Sequence, residues 1–455
     1  MKLSWCTVSS SLKASFILWF NKFMRSKLLF IAFFLFSLNA ASAQTINFRF
    51  NNYFYGWQRI DSLSDSPSYR TFHLRGYQNY LLEVNKSNWS FNTLSQTEED
   101  VVSKVEKGFN YRFYNLYVKG TNLFNVLDLK LGRQNIFAGA GIGNIDGIYM
   151  KLKAGKYKEF QLAAYGGYNT PDSYELEKLP RLGENYHIGA LFTYYGIKDL
   201  TASLSYSNKQ RKPETYSALR LDSLFDTSTR EISFDGPAEQ LAGLDLNYTY
   251  LGIHNFYSKV YYDIQQKKLY RAELNVRVKL NENIRAFGEY QLREPHFNFN
   301  SIFSVFSVSK YQEISGGLDY TLKNGMDLFG KVSAVLYDND NSVKIQAGMS
   351  HPNYGISFIK YLGYAGESDG VSAYYQRNFY DDKFASSASA SFSRYRLGNV
   401  YATDKINSFS GMLGITYRPV PQISFDAQGQ ILVNRIYSAD TRFLFGFNYW
   451  LFKKF

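Results

Sequence analysis

The sequence predicts an all-β chain: one transmembrane, antiparallel up-and-down β-barrel of about 22 strands, with about 18 to 22 the range that pattern reading allows. Three observations carry this expectation. Long segments alternate apolar and polar residues with a period of two, a cleavable leader precedes them, and aromatics reach 18% of the chain, with 39 Tyr and 38 Phe. Mean hydropathy is nevertheless slightly polar. After residue 43 no second apolar run is long enough for a membrane helix. Any crossing in that part of the chain falls to strands.

The leader comes first. Met24-Arg-Ser-Lys27 is cationic, residues 28–38 are apolar, and Ala41-Ser42-Ala43 offers a small-residue cleavage site before Gln44. Residues 1–43 therefore read as a secretory signal peptide and 44–455 as the mature barrel. Residues 1–23 fit no part of an ordinary leader, which leaves two readings open: translation starting at Met24, or an unusually long n-region. A membrane anchor is the other reading of the apolar run, but it falls short of the roughly 20 residues a spanning helix needs. Cys6, the single cysteine, lies inside the leader. The mature chain thus has no disulfide, no thiolate nucleophile, no cysteine metal site and no lipid-attachment cysteine. Removing the 43-residue leader, with its cations Lys2, Lys13, Lys22, Arg25 and Lys27 and no acids, leaves 412 residues and takes the net charge from +12 to +7. That length could hold several soluble domains, but composition is uniform and no linker divides it.

The strands follow from alternation. In residues 270–280, Tyr270, Ala272, Leu274, Val276, Val278 and Leu280 oppose Arg271, Glu273, Asn275, Arg277 and Lys279. Residues 284–293 repeat the pattern, and the turn 281–283 makes the two a hairpin. Similar dyads occupy 127–131, 148–154, 343–349, 409–417 and 423–433. The final segment, 441–455, sets Phe443, Phe445, Phe447, Tyr449, Leu451 and Phe455 on one face, interrupted at Lys453. In water such sheets would pair their apolar faces as a sandwich; the number of long strands behind a leader favours lipid instead.

Connections alternate in length. One set is short (196–200, 251–255, 280–284, 322–326, 351–354, 380–383, 418–422) and the intervening set holds every long loop (96–109, 134–147, 168–184, 210–240, 293–310). Short periplasmic turns and long extracellular loops are expected of such barrels.

A barrel of roughly 16 to 22 strands encloses an aqueous lumen unless something fills it. Strand patterning begins within a few residues of Gln44, so no N-terminal plug domain is expected. An infolded loop is the remaining source of a plug, with 210–240 (Asp226, Arg230, Glu231, Asp235) the leading candidate and a solvated surface loop the alternative. The inward rows carry His73, Arg75, Lys130, Lys151, Lys153, Arg271, Arg277, Lys279 and Arg285, balanced by Asp128, Glu273, Glu289 and Asp426. Such charges select ions when they form close rings, or simply hold the wall together as cross-strand pairs. Catalysis is not expected: His73, His187, His254, His296 and His351 are scattered, with no metal-type pair and no nucleophile beside a base. No metal or cofactor is expected either, and no aromatic-rich RNA-binding signature or basic helix points to nucleic acid.

Two motifs carry a resemblance. The terminal run 441–455 looks like the last strand of a bacterial outer-membrane β-barrel, a family in which Phe447, Tyr449, Leu451 and Phe455 would form the signal read by the barrel-assembly machinery; Lys453 departs from that pattern. The run Leu129-Lys-Leu-Gly-Arg-Gln134, then a Gly-rich loop and Asp146-Gly147, resembles a hairpin of porin-like barrels of the alginate-export and specific-porin type. The match covers about twenty residues. It makes Arg133 the leading candidate for a pore-rim or constriction residue. Strict alternation from Leu127 puts Arg133 on the lipid side, whereas a β-bulge at Gly132 would turn it inward; both remain open. Gly139-Ala-Gly-Ile-Gly143 mimics a phosphate cradle without the required helix or Lys, and reads as a flexible or infolded loop. The resemblance implies an outer-membrane channel for passive diffusion of small hydrophilic solutes, with outer-membrane lipid and the barrel-assembly machinery as partners; the cationic excess of the inward rows points to a weak anion preference. The alternative is a non-conducting barrel acting as an adhesin, structural or lipid-handling protein.

Overall fold

The structure is a computed structural model. It describes residues 44–455 apart from 62–70, 104, 106–107, 177–180, 182, 213–215, 222–226, 233–237, 295–309, 339–340, 364–367 and 397–404. The leader and most of the loop 293–310 therefore lie outside the described residues.

The first half of the chain forms β1 (Thr45–Asp61), β2 (Phe72–Lys86), β3 (Trp89–Val102), β4 (Phe109–Leu123), β5 (Leu127–Ala138), β6 (Gly141–Ala154), β7 (Phe160–Asn169), β8 (Asn185–Tyr194), β9 (Leu200–Arg211), β10 (Tyr216–Leu221) and β11 (Thr227–Ile232). There follow β12 (Glu239–Tyr250), β13 (His254–Asp263), β14 (Lys268–Lys279), β15 (Ile284–Arg293), β16 (Tyr311–Thr321), β17 (Asp327–Leu336) and β18 (Asn341–His351). The last six are β19 (Tyr354–Gly363), β20 (Ser368–Phe379), β21 (Phe384–Tyr395), β22 (Ile406–Val420), β23 (Ile423–Val433) and β24 (Tyr437–Lys454). No helix occurs among the described residues. All but β10 and β11 join one 22-stranded antiparallel sheet, and β1 pairs with both β2 and β24. The sheet is closed.

Closure is extensive. β1 and β24 stay in register from Thr45↔Lys454 to Asp61↔Tyr437, with one irregularity at Ile60/Asp61. Closing the sheet removes the open edges that hydrocarbon could not satisfy.

The alternation sorts the two sides of the wall. Phe443 and Phe445 are 56% and 53% exposed on the outer face, as are Leu274, Met150, Leu318, Val332 and Leu413 on other strands. An apolar exterior running round a closed wall is unstable in water. Each such Leu or Phe gains about 1.5–3 kcal/mol on moving from water to an apolar medium. The wall is built for a lipid bilayer.

The β14–β15 hairpin shows both the strength and the limit of the two-residue period. Leu274 faces out against Tyr290 while Arg271, Glu273, Asn275 and Arg277 share the inward rows. Tyr270 departs from the expected apolar face. A bulge opposite Tyr261/Tyr262 leaves it outside the ladder, and it packs on the inner cluster of Ala140, Leu241 and Tyr261.

Connections at the end holding Thr45 and Lys454 reach at most five residues (155–159, 195–199, 322–326), and the long ones all lie at the other end. The expected short and long sets fall on those two ends, except that the loop expected over 134–147 shrinks to residues 139–140 because β5 and β6 extend through it. The segment 103–108 is the true extent of the loop expected over 96–109, because β3 runs on to Val102.

A hairpin folded into the lumen

The wall is interrupted at one place by an element that leaves it. β4 pairs with β5 only up to Leu116↔Arg133, and β7 pairs with β6 only up to Ile145↔Asn169. Beyond those points residues 134–138 and 141–144 continue as a ladder with each other, from Gln134↔Ile145 to Ala138↔Gly141, with the Thr170 N–H donating to the Asn144 carbonyl at its root. Glycines permit the departure. Gly132 has φ +120°, and a Cβ there would lie 2.3 Å from the Leu116 carbonyl oxygen. A Cβ on Gly147 would lie 2.2 Å from the Gly166 oxygen. Only residues without side chains allow neighbouring strands to approach this closely.

The freed tip bends across the inner surface of the barrel. Ala140 N–H donates to Ser205 Oγ on β9 at 3.0 Å. Cβ atoms on Gly139 and Gly141 would clash with Ser205 Oγ and with the Tyr165 hydroxyl, so the tip is glycine-rich for fit. One face of the hairpin, Ile136, Ala138 and Ile145, is at most 1% exposed and packs on Tyr165, with Tyr149 and Leu191 beside it. Ala140 packs on Leu241 and Tyr261. The other face presents the register pair Phe137 and Ile142, 77% and 55% exposed. An apolar pair thus stands in an otherwise polar lumen.

Beneath the tip lies a buried polar cluster. His187 is fully buried, its Nε2 within 3.1 Å of the Tyr165 hydroxyl and 3.0 Å of Ser207 Oγ. Its other ring nitrogen lies against Gly143, where a Cβ would sit 3.3 Å from it. The cluster ties β7, β8 and β9 together where the hairpin rests on them.

Arg133 marks the root of the hairpin. It keeps the lipid-side parity of Leu129 and Leu131, yet is 4% exposed. Nε and one terminal nitrogen donate to Asp146 at 2.7 and 2.8 Å. The terminal nitrogens also reach the carbonyls of Phe113 (3.2 Å), Tyr174 (2.7 Å) and Glu175 (3.1 Å). These five bonds match the five N–H donors of a guanidinium. Tyr174 and Glu175 come from the loop after β7, and the Phe113 N–H donates to the Tyr174 carbonyl at 2.9 Å. The loop thereby covers the edge of β4 that β5 abandons, and Arg133 fastens both to the hairpin. The structure places its charge inside the wall rather than at an open rim.

The other candidate residues fall on inward rows in separate groups. Lys130 on β5 stands opposite Lys119 on β4, with the Tyr117 and Tyr149 rings 5.4 and 5.3 Å from its Nζ. Lys151 stands opposite Asp128, which pairs with Lys153 at 2.7 Å. Arg75 holds Asp100 through two bonds of 2.6 and 3.2 Å. Glu273 joins Arg271, Gln291 and Arg293, and Glu289 binds Lys331 at 2.5 Å. Arg277 and Arg285 stand opposite Phe287 and Asp319. Segment 210–240, read as a plug or a solvated surface loop, supplies β10 and β11, which pair with each other in a sheet of their own. His187 was read only as one of five scattered histidines, and Tyr165 and Ser207 not at all, because nothing in sequence reveals that strands β7–β9 carry an infolded hairpin.

A closed wall, lipid-facing outside and polar inside, with an infolded hairpin at its long-loop end, settles the architecture. The chain forms a closed 22-stranded antiparallel β-barrel. No protein-family model matches it, and no curated protein matches it. Among solved structures, the P pilus usher (PapC) translocation pore is similar over 89% of this chain and 99% of its own, at 8% identity and a TM-score of 0.45. Pseudomonas aeruginosa OpdQ is similar over 90% and 97%, at 10% identity and 0.42. Acinetobacter baumannii OccAB3 is similar over 90% and 99%, at 10% identity and 0.41.

Proposed function

We propose that this barrel is a passive outer-membrane channel for small hydrophilic solutes, without energy coupling or catalysis of its own. The observation that carries the reading is the β5–β6 hairpin, which leaves the wall and exposes Phe137 and Ile142 inside the lumen. A barrel filled only to stabilise itself would bury those side chains. An apolar pair within a polar passage instead narrows the path while leaving it wet around the rest of the circumference.

Inward charges set a weak anion preference in this reading. Arg75 and Glu273 lie in ion pairs that hold the wall, whereas Lys130, Lys151, Arg277 and Arg285 are the positions whose reversal is expected to change selectivity. The mature chain is cut after Ala43 and inserted by the barrel-assembly machinery through Phe447, Tyr449, Leu451 and Phe455. Conductance of the refolded mature chain in a planar bilayer, with reversal potentials under a salt gradient, tests the function. Steady, salt-dependent steps with a small anion preference are expected; a barrel that inserts and never conducts refutes the channel.

A further inference from the structure

The underside of the infolded tip meets two nitrogen groups that border the same glycine. His187 on β8 and Lys209 on β9 are register partners on the inner face, and Glu239 on β12 is next in the row, so Lys209 stands between Glu239 and His187. A Cβ on Gly143 would lie 3.3 Å from His187 Nδ1 and 3.8 Å from Lys209 Nζ. Both nitrogens therefore reach one small space, which a glycine at this position leaves to other atoms. His187 is fully buried, and its Nδ1 has no hydrogen-bond partner among the described residues.

The proton on that side of the ring follows from what the other side does. Nε2 lies 3.1 Å from the Tyr165 hydroxyl and 3.0 Å from Ser207 Oγ, and among the described residues neither hydroxyl meets an acceptor outside this group. The hydroxyls turn their hydrogens towards Nε2, and the ring proton falls to Nδ1. Lys209 Nζ adds N–H donors and no acceptor. Both wall groups that border Gly143 are thus donors. A buried N–H without an acceptor is costly. A water bridging the two would have to accept from both and still place its own hydrogens, whereas a compact anion only accepts, and the ammonium beside it offsets its charge.

We propose that a small inorganic anion of the size of chloride or bromide binds between His187 Nδ1, Lys209 Nζ and Gly143, and locks the infolded hairpin to β8 and β9. The anion holds the tip from beneath, beside the direct bond from Ala140 to Ser205. Phe137 and Ile142 lie on the opposite face of the hairpin, so the lock is separate from the solute path and stands whether or not the barrel conducts.

The test combines diffraction at the bromine absorption edge, from crystals of the folded barrel grown in sodium bromide, with amide hydrogen exchange in detergent. Exchange is compared in sodium bromide and in sodium gluconate at equal ionic strength. A bromide peak is expected within hydrogen-bond reach of both His187 Nδ1 and Lys209 Nζ, and it should vanish in Lys209→Met. Exchange at residues 139–143 should slow about tenfold when bromide stands at about ten times its dissociation constant, because an anion that binds only the docked tip lowers the open fraction by that ratio. Gluconate, too bulky for a space bordered this closely, should not slow it, and Lys209→Met should erase the difference between the salts. The comparison of salts on the wild type needs no substitution and carries the test if Lys209→Met fails to fold. A water in place of the peak, or a peak that survives Lys209→Met, overturns the proposal. So does a peak without slower exchange, which would mark binding at crystal concentration only.

Discussion

Replacing Arg133 by Met should weaken the barrel where the hairpin leaves the wall. The substitution keeps most of the apolar stem and deletes five hydrogen bonds, two to Asp146 and three to main-chain carbonyls. Removing one partner of a buried ion pair costs about 3–5 kcal/mol, and the lower figure applies here because the Asp146 side chain retains 19% exposure. The cost falls on three segments at once: β5, β6 and the Tyr174–Glu175 stretch that covers β4. Equilibrium urea unfolding of the refolded barrel in detergent micelles, followed by the fluorescence of Trp57, Trp89 and Trp450, measures it. The double variant Arg133→Met/Asp146→Leu should recover much of the loss, because removing both charges leaves neither one stranded. In a bilayer the single variant should conduct with greater current noise, since the hairpin has lost its anchor. A loss below about 0.5 kcal/mol, the range of an ordinary surface substitution, would refute the assignment of Arg133 as the fastener of the wall.

Other expectations concern the same hairpin and the lumen. Phe137→Ala with Ile142→Ala should raise single-channel conductance, and Phe137→Trp should lower it, with folded yield unchanged because both side chains are exposed; equal conductance in all three would remove the hairpin from the conducting path. Gly132→Ala should reduce the folded fraction, seen as lost heat-modifiable migration on gels, since it forces a side chain into φ +120° and against the Leu116 carbonyl, a strain of about 1–3 kcal/mol or more. Lys130→Glu combined with Arg277→Glu should move the reversal potential towards cation preference, and a null shift would mean that selectivity is set elsewhere.

How much of this was legible in sequence depends on the range of the interactions involved. Strand existence, direction and facing were readable wherever a two-residue period was uninterrupted, as from Ala272 to Val278, because lipid and water impose that period locally. Tyr270 broke the rule through a bulge that belongs to the pairing of β13 with β14 and cannot be seen in β14 alone. The infolding of residues 134–145 depends on Ser205, Tyr165, Leu241 and Tyr261, which lie tens of residues away or more. Its one local trace was the glycine spacing at 139, 141 and 143. Length alone could not single out the β5–β6 tip: 210–240 was the longest connection and forms a hairpin of its own, whereas the short β5–β6 tip had surfaces to bury. For Arg133, parity alone gave the correct side of the sheet, but the segment that shields it comes from a distant loop.

The seam between β1 and β24 has a consequence for how the molecule comes into being. The Tyr53 hydroxyl donates to Asn448, 395 residues later, and the Phe455 N–H donates to the Gln44 carbonyl at 3.0 Å. The first strand made is therefore among the last to gain its second neighbour. Until β24 arrives, β1 carries an open edge of donors and acceptors that no bilayer can satisfy, so a partly synthesised wall has no stable resting place in lipid. The chain ends also meet at one rim. A permuted chain with residues 44 and 455 joined, and opened in a long loop, would keep every ladder while moving the aromatic terminal strand to the interior of the sequence, so that sealing the wall no longer depends on that strand being the last one made.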